Sequence, residues 1–106
     1  MPRIAAIFCA LFLAAAAALA SAQQVTPERA ASLEQLVVQD CGSCHGLTMK
    51  GGLGRPLTPD ALAHAEPGGL ALIILDGIPG TAMPPWRPLL TEDEALWIAS
   101  YLKSKD

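Results

Sequence analysis

Cys41-Gly42-Ser43-Cys44-His45 is the stretch around which the fold of this chain is organised. Two cysteines separated by two residues and followed at once by histidine form the attachment signature of a c-type haem. Each thiol adds to one vinyl group, so both sulfurs must lie at one edge of the porphyrin. The imidazole of His45 can then bind the iron as its proximal ligand. The pattern predicts one covalently attached haem c.

Three other interpretations of the two cysteines need weighing. A thioredoxin-like redox pair is typical of an alternating strand–helix chain, and this sequence shows no such pattern. A zinc site would need a second Cys/His pair, and His64 alone cannot complete four ligands. A structural disulfide of a small exported domain stays open as an alternative.

The N-terminal segment predicts export. Arg3 is followed by an apolar run over residues 4–20, and Ala20-Ser21-Ala22 fits a small-residue cleavage site. We therefore expect residues 1–22 to be a signal peptide cut after Ala22. Residues 23–106 would then form one monohaem domain in the periplasm, without stable membrane insertion. An uncleaved membrane anchor is the alternative, because the apolar run reaches the low end of a spanning helix.

Charge and size limit the remaining functions. Once Arg3 is removed with the expected signal peptide, the chain keeps six Lys and Arg and ten Asp and Glu. This net negative charge disfavours nucleic-acid binding. A domain this small struggles to bury enough apolar surface by itself. An attached haem would supply a large apolar core, so we expect the haem-free chain to fold poorly.

A methionine in a proline-rich loop is the second informative feature. Residues 80–86 read GTAMPPW, and prolines keep such a segment out of helices and central strands. The stiff loop can hold the thioether of Met83 at a fixed point, as a distal iron ligand requires. The alternatives are His64, Met49 or an open position, with Met83 as an ordinary core residue.

A glycine-rich loop over residues 47–57 follows the attachment motif. Proximal histidines usually donate their second ring N–H to a carbonyl, which fixes the tautomer. Pro56 lies in this loop, and its carbonyl is the candidate acceptor for His45. Pro56 as an ordinary loop proline is the alternative.

Helix-start and helix-end signals predict four helices. Threonine before proline and an acidic residue starts two of them, and a capping box starts the last. The helices are expected from Thr26 to about Gln39, from Thr58 to about His64, from Leu70 to Leu75 before Gly77, and from Thr91 to the C-terminal lysines.

Together these pieces resemble a class I c-type cytochrome over residues 26–104. The motifs that carry the resemblance are CGSCHG at 41–46, GRPL at 54–57, Met83-Pro84 and the Leu-Thr-x-x-Glu start of the last helix. The resemblance implies an all-α fold of three to five helices around one haem. It also implies Cys41 and Cys44 as thioethers, His45 and Met83 as axial ligands, and the Pro56 carbonyl as partner of His45. Arg55 departs from the family, in which Gly and Pro are adjacent.

Residues 46–54 and 80–86 further resemble the cytochrome c55X group of denitrification gene clusters. That resemblance implies service to the periplasmic haem-d nitrite reductase, as an electron donor or in its maturation. The implied partners are redox proteins, including that reductase and a quinol-oxidising complex, and the implied state is a monomer.

The leading hypothesis is a periplasmic electron carrier without enzymatic activity. The alternatives are an assembly factor for the reductase and a gas-binding or enzymatic haem protein with a labile sixth ligand. Residues 41–59 and 77–90 carry Lys50, Arg55 and Arg87 but no acid. We therefore expect a positive haem face that steers an acidic partner. Three scattered, solvated charges are the alternative.

Overall fold

The computed structural model describes residues 24–105, so the expected signal peptide, residues 1–22, lies outside the described range. The helices are α1 (Pro27–Leu36), α2 (Gly42–His45), α3 (Pro67–Asp76) and α4 (Glu92–Ser104), with a π-helical segment, Val37–Cys41, between α1 and α2. Residues 24–105 contain no strand, which confirms the predicted all-α class. No helix in this range is both long and apolar enough to cross a bilayer.

The first helical path starts where the sequence predicts and ends later. The hydroxyl of Thr26 accepts from the amide of Arg29 at 3.1 Å, and Pro27 occupies the first turn. The predicted end near Gln39 is wrong, because the backbone changes from α to π at Val37 and continues as α2 to His45. A π turn absorbs an extra residue without breaking the helix. Both cysteines and His45 therefore lie on one continuous helical path.

The helix predicted from Thr58 to about His64 is a series of turns. Thr58 does cap its start, since its hydroxyl accepts from the Ala61 amide at 3.3 Å. After one four-residue bond from Leu62 to Thr58, the following amides bond three residues back. The turns end before Pro67, which lacks an N–H and disfavours helix at the residue before it.

The apolar run at 70–75 is helical, as predicted, but its helix begins earlier. Pro67, Gly68 and Gly69, which precede the predicted start at Leu70, form the first turn of α3. Proline fits there because the first amides of a helix have no intrahelical partner. The helix ends at Gly77, whose φ of 67° belongs to the left-handed region that glycine adopts freely.

Helix α4 is the element that joins the others. Its capping box between Thr91 and Glu94 is present, as predicted. It packs against α3 and contacts α1, to which it is joined by an ion pair between Arg29 and Glu94. Burial raises the pKa of Glu94. The hydrogen bonds from Arg29 and Thr91 outweigh that effect, so the pKa of Glu94 lies below its ordinary value.

The core lies between α4, α3 and the first helical path. Its fully buried large side chains are Leu33, Val37, Met49, Leu75 and Ile98. The Lys103 ammonium fastens the turns at 58–65 to α4, because it donates to the carbonyls of Leu62 at 2.9 Å and Ala65 at 2.5 Å.

Candidate haem site

Two free thiols lie one helical turn apart. Cys41 ends the π-helical segment and Cys44 lies in α2, and both are half-buried and not disulfide-bonded. Their side chains therefore share one stretch of helix, as attachment to one porphyrin edge requires. The disulfide alternative is not realised in this structure.

The environment of Cys41 argues against a thioredoxin-like redox pair. Burial raises the pKa of its thiol to about 11, and the neighbouring Asp40 carboxylate adds to the rise. An attacking redox cysteine needs the opposite, a pKa lowered toward neutrality. The Cys41 thiol is accordingly a poor nucleophile in this setting.

The zinc alternative also lacks support in the described range. Residues 24–105 contain no group of three or more His, Cys, Asp or Glu side chains placed to hold a metal ion. His64 is exposed in the turns at 58–65. The Cys41–Cys44 pair therefore has no zinc partners among these residues.

The His45 ring is held by a backbone carbonyl. Its Nδ1 lies 2.7 Å from the carbonyl oxygen of Arg55. A carbonyl can only accept, so Nδ1 carries the proton and Nε2 keeps its lone pair for a metal. Such a bond also fixes the orientation of the ring.

The acceptor of His45 corrects the sequence prediction, which named the carbonyl of Pro56. The Gly54 amide donates to the Cys44 carbonyl at 2.7 Å and anchors the loop against the end of α2. That anchor brings the next carbonyl, Arg55, to the ring. Pro56 instead places its ring beside Gly51, where a Cβ would lie 3.4 Å from the Pro56 Cγ.

Close approach explains the glycines of this loop. A Cβ on Gly54 would lie 2.7 Å from both Nδ1 and Cε1 of His45, and one on Gly52 would lie 2.8 Å from the Cys44 carbonyl oxygen. Gly51 donates its amide to the His45 carbonyl at 2.8 Å. The loop can therefore cover the last carbonyls of α2 only where side chains are absent.

The candidate distal ligands lie in different surroundings. Met83 is half-buried in the loop after α3, whereas Met49 is 1% exposed and belongs to the hydrophobic core. Met49 thus fills the role of a packing methionine, and His64 is exposed. Of the two methionines, Met83 is the one that does not belong to the hydrophobic core.

The residues present fit a c-type haem. The set combines two free thiols, an imidazole with one nitrogen already bonded and a thioether on a separate loop. Several apolar side chains are also left exposed, among them Leu47, Leu53, Leu72 and Ile78. Thiols, imidazole and thioether are the donors by which proteins bind haem c.

The expected positive face is smaller than the sequence indicates. Arg87 is paired with Asp76 through two bonds of 2.8 and 3.0 Å, and Glu92 lies 3.6 Å away. The hydrogen bonding between Arg87 and Asp76 lowers the pKa of Asp76 and raises the pKa of Arg87. Lys50 and Arg55 are exposed and make no ion pair within residues 24–105.

Sequence reasoning missed two contributors to the site, Gly54 and the Arg55 carbonyl. The Gly-Arg-Pro order contained the signal, because the inserted arginine moves the proline one position along the loop. Gly54, which contacts the His45 ring, then comes directly before Arg55, whose carbonyl accepts the hydrogen bond from that ring.

Comparison with known proteins gives consistent matches. Residues 28–102 match the family described as cytochrome C oxidase, cbb3-type, subunit III. The chain is 59% identical over 93 residues to cytochrome c55X of Paracoccus denitrificans (strain Pd 1222), covering 88% of this chain and 90% of that protein.

Two solved structures share the fold. The c-type cytochrome NirC aligns with a TM-score of 0.72 at 47% identity, over 74% of this chain and 92% of that one. Dihydro-heme d1 dehydrogenase NirN, in complex with DHE, aligns with a TM-score of 0.64 at 33% identity. That alignment covers 69% of this chain but 16% of NirN, so the likeness concerns a small part of the larger protein.

Gly54→Ala tests whether the loop must touch the His45 ring. The new methyl group would overlap a ring that is itself fixed by a hydrogen bond, so we expect a loss of about 1–3 kcal/mol in the unfolding free energy of the haem-bound protein. Denaturant unfolding followed by circular dichroism measures it.

Gly69→Ala is the matched control. A Cβ at Gly69 meets nothing within 4 Å, and the residue lies in the first turn of α3. We expect this variant to be as stable as the parent or up to about 1 kcal/mol more stable. Equal unfolding free energies for the two variants would contradict the close contact at Gly54.

Proposed function

This chain belongs to the class I c-type cytochromes, and from that membership we propose that it is a periplasmic electron carrier and not an enzyme. The predicted family, its all-α fold, the likeness to cytochrome c55X and the covalent c-type haem are all confirmed by these relatives. The single Cys-x-x-Cys-His motif accommodates one haem.

The proposed roles follow from the residue chemistry. Cys41 and Cys44 would form the thioethers, and His45 Nε2 and the Met83 sulfur would bind the iron. The haem supplies a one-electron Fe(III)/Fe(II) couple. With His45 and Met83 both bound, the iron would have no free position for a substrate, so the group would supply electron transfer alone. The soft sulfur of Met83 favours the ferrous state and raises the reduction potential.

The observation that carries this proposal is the hydrogen bond between His45 Nδ1 and the Arg55 carbonyl. It prepares one ring nitrogen for a metal, directly after the second free thiol. A solvent-exposed surface histidine would not need its tautomer fixed by a loop built of glycines.

The N-terminal sequence supports the periplasmic assignment. We propose that residues 1–22 are the signal peptide and that residues 23–106 are the mature cytochrome domain. The charged start, apolar run and Ala20-Ser21-Ala22 site support this division.

Dissimilatory nitrite reduction is the proposed setting. The support is the 59% identity to cytochrome c55X of a denitrifying organism. In this setting the monomeric carrier would take electrons from a quinol-oxidising complex and pass them to the haem-d nitrite reductase.

Partner recognition is proposed to depend on Lys50 and Arg55. Both are exposed on the loop that follows the attachment motif, and neither is neutralised by an ion pair within residues 24–105. Unpaired surface cations attract an acidic partner over about one Debye length, roughly 10 Å at 0.1 M salt. Arg87 is expected to contribute less, because Asp76 already balances its charge.

A role in maturation of the reductase is the second candidate. It is favoured by the likeness to part of NirN, which is named a dihydro-heme d1 dehydrogenase. Deleting the gene separates the two roles. If the reductase purified from the deletion strain contains its full d-type haem, the maturation role is excluded. If that haem is missing, the carrier role does not explain the phenotype.

Met83→Leu tests the sixth ligand. Loss of the sulfur should abolish the weak Met-to-Fe(III) charge-transfer absorption and lower the reduction potential by on the order of 0.1 V. Visible spectra of the oxidised protein and a redox titration measure both. Met49→Leu is the matched control and should leave both unchanged, because Met49 lies in the core.

Two results would overturn this ligation. The absorption could survive in Met83→Leu, or the parent could lack it and bind carbon monoxide rapidly when reduced. The second result would favour the gas-binding alternative.

Charge substitutions test the recognition surface. Lys50→Gln and Arg55→Gln should each slow electron transfer to the purified nitrite reductase about two- to fivefold at low salt, with a smaller difference at high salt. Arg87→Gln changes the net charge equally and should have a smaller effect. Stopped-flow mixing measures the rates. Rates that do not fall as salt rises would refute electrostatic steering.

A further inference from the structure

The Met83 loop closes on itself through backbone contacts. The Ile78 amide donates to the Met83 carbonyl at 3.2 Å, so residues 78–83 form a closed loop after α3. Gly77 permits the closure, since a Cβ there would lie 2.7 Å from the Met83 carbonyl oxygen. The position of Met83 is thus set by a small ring of residues at the end of one helix.

One side-chain hydroxyl links the two ends of this ring. Thr81 Oγ1 donates to the Ile78 carbonyl at 2.7 Å and accepts from the Met83 amide at 3.2 Å. The Thr81 amide donates to the same Ile78 carbonyl at 3.1 Å. A valine could reproduce the shape of this side chain but neither of its hydroxyl bonds.

Residues 78–82 do not belong to the hydrophobic core. Residues 78–82 are all exposed, and Ile78 keeps 45% of its surface accessible. Pro79 fixes its own φ angle, and Pro84 restricts the backbone of Met83 before it. The torsions between these prolines, at Gly80, Thr81 and Ala82, are restrained by the Thr81 hydroxyl together with the backbone bonds at Ile78.

We propose that Thr81 is a positioning residue that keeps Met83 from leaving the iron. Its hydroxyl accepts a hydrogen bond from the Met83 amide and donates one to the Ile78 carbonyl, and so bridges the two groups. This inference rests on the proposed role of Met83 as the sixth ligand. Thr81 touches neither iron nor substrate. Its contribution lies in the lifetime of the Met83–iron bond, which sets how readily another ligand can take that place.

The test uses the haem-loaded, full mature protein and imidazole as the competing ligand. Thr81→Val should raise the rate at which imidazole displaces Met83 from the ferric protein about three- to tenfold, the range expected for the loss of one or two exposed hydrogen bonds. On heating Thr81→Val, the charge-transfer absorption of Met83 should also be lost at a lower temperature than the circular dichroism signal of the helices. Thr81→Ser restores the hydroxyl and should return the rate to within about twofold of the parent.

Thr26→Val controls for a general loss of stability. It removes a threonine hydroxyl with the same role toward an amide, at the start of α1 and away from the Met83 loop. We expect it to lower the unfolding free energy while leaving the imidazole rate unchanged. If Thr81→Val does not accumulate, Thr81→Ala removes the same hydroxyl and takes its place.

The outcomes separate this inference from the proposed function. A parent protein without the charge-transfer absorption would refute Met83 ligation and this inference with it. A parent with the absorption, and equal imidazole rates in parent, Thr81→Val and Thr81→Ser, would refute the role of Thr81 alone. Equal acceleration by Thr26→Val would also refute it, since the effect would then be one of overall stability.

Discussion

The structure depends on the fastening of the glycine loop to the end of α2. The Gly54 amide bonds to the Cys44 carbonyl, and the next residue, Arg55, gives its carbonyl to His45. The first bond satisfies a carbonyl at the end of the helix that would otherwise be unpaired. The second bond sets the tautomer of the imidazole. The capping of a helix and the preparation of a metal ligand are therefore the same structural event.

The two candidate axial ligands are held by different means. His45 belongs to a helical path whose inner side chains, Leu33 and Val37, are completely buried, so core packing fixes it. Met83 lies on an exposed loop that relies on prolines and on the hydrogen bonds of Thr81. A packed core resists displacement, whereas a loop opens locally at lower cost. Of the segments that carry the two candidate ligands, the Met83 loop is accordingly the one that opens more readily.

The distribution of charge also depends on the fold. Arg87 looks like a free cation in the sequence because no acid lies within ten residues of it on the N-terminal side, but α3 ends beside it with Asp76. The resulting pair joins the end of α3 to the segment before α4. Lys50 and Arg55, on the loop next to the attachment motif, make no such ion pair within residues 24–105.

The sequence by itself determined the features that depend on short spacing: the Cys-x-x-Cys-His motif and the caps at Thr26 and Thr91. These are local because a covalent attachment pattern or a helix cap involves residues within one turn. Tertiary structure decided which carbonyl meets His45, that residues 58–65 do not form a helix, and that Asp76 neutralises Arg87. Each of these depends on how a loop is laid against a helix formed elsewhere in the chain, and spacing along the sequence does not contain that distance.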